Sequence, residues 1–139
     1  MPLETLRRNS MEESILKTIK QLIGCPDDFE QFDLDLMIHI NSAFATLTHL
    51  GVGPKEGYRI TGSDNVWSEF ETDDQKISLV KDYVYIKTRL LFDPPTTGSL
   101  MDSMKEQLKE MEWRLYMLYY PISEDDEKGE NDDDSLLSK

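Results

Sequence analysis

Three side chains in this sequence, Cys25, His39 and His49, are of the types that act as nucleophile, base or metal ligand. Nucleophilic catalysis would need the thiol and an imidazole within hydrogen-bond reach of each other. The two histidines are ten residues apart on one predicted helix, which separates them by about 15 Å along the axis and rotates them by roughly 80°. They cannot share a proton or a metal ion without a further partner, and the sequence shows none. We therefore predict no catalytic centre, no metal site and no cofactor.

The acidic C-terminal end has the composition, but not the spacing, of a calcium-binding loop. With Gly129 at the sixth position of an EF-hand loop, Lys128 takes the fifth position and Ser135 the twelfth, where a carbonyl-type ligand and a bidentate glutamate are required. Two interpretations are left for residues 122–139: a solvated tail, or a segment that binds a basic groove on a neighbouring subunit. The carboxylates that would make this contact are Glu124, Asp125, Asp126, Glu127, Asp132, Asp133 and Asp134.

Length and composition indicate a single domain over residues 1–121, followed by this tail. The 139 residues are 38% apolar, enough for one core of three or four packed helices. No apolar run after Met1 resembles a secretory signal, and no stretch approaches the roughly 20 apolar residues of a membrane span. The single cysteine excludes an internal disulfide and fits a reducing compartment. The sequence thus predicts a protein made in a cytosol and without membrane association.

The net charge of −13 is unevenly distributed along the chain. Residues 1–23 and 81–121 are nearly balanced, whereas residues 24–80 hold eleven acidic and three basic groups and residues 122–139 hold eight and two. Nucleic-acid binding through counterion release needs lysine and arginine to cover the phosphates. This surface is expected to repel DNA.

Apolar spacing predicts four helices. The first follows a capping-box pattern at Ser10 and Glu13 and is ended by Gly24 and Pro26. The second begins near Asp33 as its N-cap and ends at Leu50. The predicted inward positions of these two helices are Ile15, Leu16, Ile19, Leu22 and Ile23, and then Leu36, Ile40, Phe44 and Leu47.

The third predicted helix begins at Asp73 and Asp74, and the fourth covers residues 99–119. Their predicted inward positions are Leu79, Val80, Tyr83, Ile86 and Leu90, and then Leu100, Met104, Leu108, Met111, Leu115 and Leu118. The predicted fold is therefore all-α: a small antiparallel bundle of about four helices, with a long loop between helices two and three and an acidic C-terminal tail.

The long loop, residues 51–72, is the first candidate for an interface, because loops of this length in compact domains tend to be functional. Residues 58–61 could form a short strand, and residues 65–70 a helical turn or a strand. Trp67 either pins the loop to the bundle or makes an assembly contact, and Tyr58 and Arg59 are further interface candidates. On the last helix, Trp113 lies off the centre of the inward stripe, so it belongs either to the core or to a subunit interface.

The turn between helices three and four carries the most specific signal in the chain. The third helix ends at Phe92 and is followed by Asp93, Pro94, Pro95 and Thr96. Pro95 forces Pro94 out of the helical region, so the chain must turn at once. The next helix carries Met104, Met111 and Trp113. This hairpin, residues 83–115, resembles the signature of the head–tail connector (adaptor) proteins of long-tailed bacteriophages, and the similarity extends over about residues 15–118.

The resemblance implies a virion structural protein without enzymatic activity. It implies a homo-oligomeric ring, of twelve copies, bound to the portal protein at the head–tail junction and assembled in the bacterial host cytoplasm. Such a ring extends the DNA channel and docks the stopper or tail-completion protein, and DNA passes through without specific binding. An acidic channel wall would suit this role, because it does not hold the phosphates of the passing genome.

A different class of function is an acidic inhibitor that mimics DNA and blocks a nucleic-acid enzyme. It would account for the net charge and the small size. It requires carboxylates on rigid elements at phosphate-like spacing, yet eight of the 28 lie in the acidic tail. An enzyme ranks third, because no convergent polar constellation is visible.

Overall fold

The computed structural model describes residues 11–120, which fold into four α-helices. These are α1 (Ile15–Ile23), α2 (Asp33–His49), α3 (Asp74–Phe92) and α4 (Gly98–Tyr119), with a 3-10 helix at Trp67–Glu69 before α3. In the described part of the chain there is no strand, and only an isolated bridge joins Ser14 to Val66. The prediction of an all-helical fold is confirmed.

The helix ends follow from local capping. Ser14 is the N-cap of α1 and its hydroxyl accepts from the Lys17 amide at 3.2 Å; the predicted cap at Ser10 lies outside the described residues. Gly24 ends α1 in the left-handed region at φ 95°, where glycine has no steric penalty. Asp73 caps α3 by accepting from the Lys76 amide at 2.9 Å.

The prediction that Asp33 caps α2 is wrong. Phe32 holds the N-cap position and Asp33 is the first helical residue. The Asp33 carboxylate instead forms an ion pair with Lys20 Nζ at 2.9 Å, and the Lys20 side chain is only 2% exposed. The same ammonium donates to the backbone carbonyls of Asp27 at 3.0 Å and Phe29 at 2.7 Å. This buried lysine therefore fixes the connection between α1 and α2.

The core is built around α3, which contacts each of the other three helices. Most predicted inward positions are buried, among them Ile15, Leu36, Ile40, Phe44, Leu47, Val80, Tyr83, Leu108, Met111 and Leu115. Two predicted core residues are exposed instead: Leu22 by 51% and Leu100 by 48%. Leu22 lies about 90° from the centre of the buried face of α1. Leu100 lies in the first turn of α4, and α3 ends at Phe92 before it reaches this height, so no residue of α3 lies opposite Leu100.

Helices α3 and α4 form a hairpin and run in opposite directions. Near the start of α3, the Lys76 ammonium lies 4.6 Å from the ring centre of Tyr119 at the end of α4. Further along, the Tyr83 hydroxyl donates to Glu112 Oε1 at 2.9 Å. The turn falls where Pro94 and Pro95 required it, within one residue of the predicted start of α4. The antiparallel arrangement of the whole bundle stays a prediction.

The end of α4 is attached to the end of α2. The Tyr120 hydroxyl donates to the Gly51 carbonyl at 2.9 Å. Gly51 has φ +80°, and a Cβ at this position would lie 2.8 Å from the Tyr120 ring. The backbone conformation therefore favours glycine, and a larger residue would also have to displace the Tyr120 ring.

Candidate assembly surfaces

The long loop is packed onto the bundle. Among its residues, Val52, Ile60, Trp67 and Phe70 are buried. The amide of Asn41 on α2 replaces a neighbouring strand, because its Oδ1 accepts from the Ile60 amide at 2.7 Å and its Nδ2 donates to the Ile60 carbonyl at 3.0 Å. The suggested strand at residues 58–61 is thus absent, since a side chain satisfies this backbone.

Trp67 pins the loop to the bundle and is not exposed. Its side chain is 0% exposed, and its Nε1 donates to Thr18 Oγ1 on α1 at 3.1 Å. The centre of its ring lies 6.4 Å from the ring centre of Phe44. The ring centre of Phe44 is in turn 5.0 Å from those of Tyr58 and Phe70. Of the two roles considered for Trp67, a surface contact with a neighbour is therefore incompatible with its burial.

Tyr58 is half-buried and belongs to a hydrogen-bonded network within the loop. Glu69 Oε1 accepts from the Tyr58 hydroxyl at 2.8 Å, from Asn65 Nδ2 at 3.1 Å and from the Val66 amide at 3.1 Å. The bond from Tyr58, together with the others, lowers the pKa of the Glu69 carboxyl. Burial and the nearby carboxylate raise the pKa of the Tyr58 hydroxyl. The charged form of Glu69 thus holds the loop together.

Replacing Glu69 by glutamine is expected to lower stability at pH 7 by less than about 1 kcal/mol, because the carboxylate is exposed to solvent. A carboxyl whose pKa is lower in the folded protein stabilises it fully above the unfolded-state pKa, about 4.3, and loses this effect as the pH falls through the folded-state value. The difference between Glu69→Gln and wild type should therefore shrink as the pH is lowered from 7 to below 4. Urea unfolding at several pH values measures it. Glu56→Gln, in the same loop, is the matched control, and an equal pH dependence in both variants would contradict the role of Glu69.

Arg59 is exposed beside a shallow pocket lined by Asn41, Thr48 and His49. His39, by contrast, lies next to Phe92, with the ring centres 6.5 Å apart, and Cys25 lines a separate groove at the end of α1. Among residues 11–120 no group of three histidine, cysteine, aspartate or glutamate side chains is placed to hold a metal ion.

Trp113 is the most prominent candidate on the surface. Its side chain is 64% exposed, so the alternative that placed it in the core is wrong. It borders a groove of about 570 Å³ between α3 and α4, whose apolar lining comes from Leu79, Met117 and Leu118. Ser78 and Asp82 line the α3 side, and partial burial raises the pKa of the Asp82 carboxyl. An exposed aromatic beside an apolar groove is typical of an interface.

The outer face of α2, which we call the α2 ridge, carries a second apolar surface that the sequence analysis missed. Leu34 is 67% and Ile38 57% exposed. Ala45 is exposed on the same face, where it lines the shallow pocket beside the long loop. Each lies two residues before a buried core residue, about 200° around the helix. The long loop covers part of this face through Asn41, and Leu34 and Ile38 are the apolar side chains left for a partner. This spacing was readable from the sequence.

A comparison with protein families matches residues 15–120 to the family described as phage connector protein. The match covers all four described helices. The chain belongs to the phage connector protein family. Searches of curated proteins and of solved structures found no match to this chain.

Membership of the connector family gives the surfaces a context. The family is structural, and a phage connector protein is a virion component that interacts with other head or tail proteins. The match supports a connector role at the head–tail junction. None of the helices between residues 11 and 120 is long and apolar enough to cross a membrane. The seven carboxylates predicted to contact the portal, between Glu124 and Asp134, lie outside the described residues.

Proposed function

We propose that this connector protein forms a homo-oligomeric ring, of twelve copies, beneath the portal of a tailed phage. The ring extends the DNA channel and docks the stopper or tail-completion protein. The family match across all four helices carries the proposal, and the two exposed apolar surfaces support it, because a subunit that acts alone would have no use for them.

The charge distribution supports a channel through which DNA slides. The described residues between 24 and 80 include eleven acidic and only three basic groups. A negative wall at the channel does not bind phosphates, so the genome can move in either direction without being held. Specific DNA binding is not part of the proposed role.

Residues 122–139 are proposed to contact the portal. Eight acidic and two basic residues give this segment a net charge of −6, which suits a basic groove on a partner. Such a contact is ionic and weakens as salt shortens the Debye length below about 8 Å.

Mixing the purified protein with its cognate portal is expected to give a complex of much larger mass than either component. Size-exclusion chromatography with light scattering measures the mass, and electron microscopy shows whether the added density is a ring.

Removing residues 122–139 should weaken the complex at low salt and have little effect at high salt. In the phage, deleting the gene should leave DNA-filled heads without tails, and a plasmid copy should restore infectivity.

The same experiment separates the connector from the DNA mimic. A stable monomer that ignores the portal and instead binds a nuclease or a polymerase would overturn the connector proposal. Infectious particles of normal yield from the deletion phage would overturn it as well.

A further inference from the structure

We propose that neighbouring subunits join by inserting the α2 ridge of one copy into the α3–α4 groove of the next. The inference rests on the proposed ring and names the surfaces that would build it. Its occupant is a second copy of this chain.

The two surfaces differ in shape. The α2 ridge presents Leu34 and Ile38, two aliphatic side chains that are more than half exposed. The groove is concave and offers Leu79, Met117 and Leu118 beneath the rim formed by Trp113. Two aliphatic side chains on successive helical turns are the usual means by which a helix fills an apolar groove.

The two surfaces also face opposite directions. Ser78 and Asp82, which line the groove, each lie two residues before a buried residue of α3, Val80 or Val84. That spacing puts them about 200° around the helix from the buried face. Because α2 packs on the buried face of α3, the groove opens on the side of α3 that is remote from α2. The ridge points away from α3 in turn.

Different, complementary patches on opposite sides of one subunit produce a head-to-tail contact. Such a contact repeats from copy to copy and closes into a ring when the rotation per subunit allows it. A two-fold dimer would instead need a single patch that complements itself. The separation of ridge and groove thus favours a ring over a dimer.

Charge favours a second copy over the acidic tail as the occupant of the ridge. Exposed Asp35 borders the ridge, so a segment of net charge −6 is repelled there. The groove is bordered by Arg114, which is paired with Glu110 at 2.7 Å and remains 59% exposed. Asp82 is the acidic residue on the α3 side of the groove, so Asp35 of the next copy is expected to face Arg114 on the α4 side, where the charges are complementary.

Paired cysteines test the contact directly. The full-length chain with Cys25→Ser would carry Ala45→Cys on the ridge and Ser78→Cys in the groove, both small, exposed positions that leave Leu34, Ile38 and Trp113 in place. A short bis-maleimide is added to the concentrated protein and, separately, to the protein mixed with portal. The double variant should give a ladder of covalent multimers on a denaturing gel. A mixture of the two single variants should give dimers only.

Controls decide how the result is interpreted. Lys17→Cys with Ala45→Cys should give no ladder, because Lys17 is exposed on α1 and does not line the groove. Trp113→Ala and Ile38→Glu should each weaken assembly at least about tenfold, while Lys17→Glu should not. Dimers from Ala45→Cys alone would overturn the proposal in favour of a two-fold contact through α2. Portal binding without a ladder would overturn this contact and leave the proposed function standing. A ladder without portal binding would support the contact and overturn the proposed function. The absence of both would overturn both proposals.

Discussion

Replacing Phe44 by alanine is expected to lower the free energy of unfolding by about 3–5 kcal/mol. The Phe44 ring is fully buried, and its centre lies 5.0 Å from the ring centres of Tyr58 and Phe70. Its removal leaves a cavity between α2 and the long loop, so the loss combines the transfer term with the cost of the void. Chemical denaturation followed by circular dichroism measures the change. A larger increase of hydrogen exchange over the parent in the loop than in α4 would show that the anchoring point was lost.

The matched control is Phe29→Ala. Phe29 is 39% exposed and stacks edge-on against Phe32 at 5.3 Å, so its loss should cost much less than that of Phe44. An unfolding midpoint for Phe44→Ala within error of the parent would show that the assigned register of α2 is wrong.

Replacing Lys20 by alanine is expected to cost about 3–5 kcal/mol, the range typical for breaking a buried ion pair on one side. The change would leave the Asp33 carboxylate without its cation at 2.9 Å. It would also leave the partly buried carbonyls of Asp27 and Phe29 without their donor, which adds to the loss. Equilibrium unfolding in urea gives the value.

Two further variants separate charge from packing. Lys20→Met keeps most of the aliphatic stem and removes the ammonium, so it should recover only the packing part of the loss. Lys17→Ala, on the same helix but exposed, should change stability by no more than about 0.5 kcal/mol. If Lys20→Met were as stable as the parent, the polar contacts of Lys20 would not contribute to stability.

The helices could be predicted from the sequence because their signals are local. Periodic apolar residues, Asp73 as a cap, Gly24 as a stop and the Pro94–Pro95 turn each act within a few residues. The second apolar face of α2 was equally readable, since Leu34 and Ile38 each precede a core residue by two positions.

The loop and Lys20 could not be predicted, because their partners are distant in sequence. The amide of Asn41 pairs with Ile60 across nineteen residues, and the Trp67 indole finds Thr18 across 49. No sequence pattern in the loop predicts either hydrogen bond. From the sequence, a lysine on α1 is expected to be exposed to solvent. Only the structure shows that two carbonyls and a carboxylate surround Lys20.

The bond from the Tyr120 hydroxyl to the Gly51 carbonyl, at 2.9 Å, determines where the acidic segment starts. Whatever course residues 121–139 take, they depart from a point fixed against the end of α2. In a ring, every copy would release its segment at the same height and the same radius. Charges that are spread along one chain would then be gathered into a circular band, with −6 added by each subunit. A partner protein would meet this band as one continuous electrostatic collar instead of as separate tails.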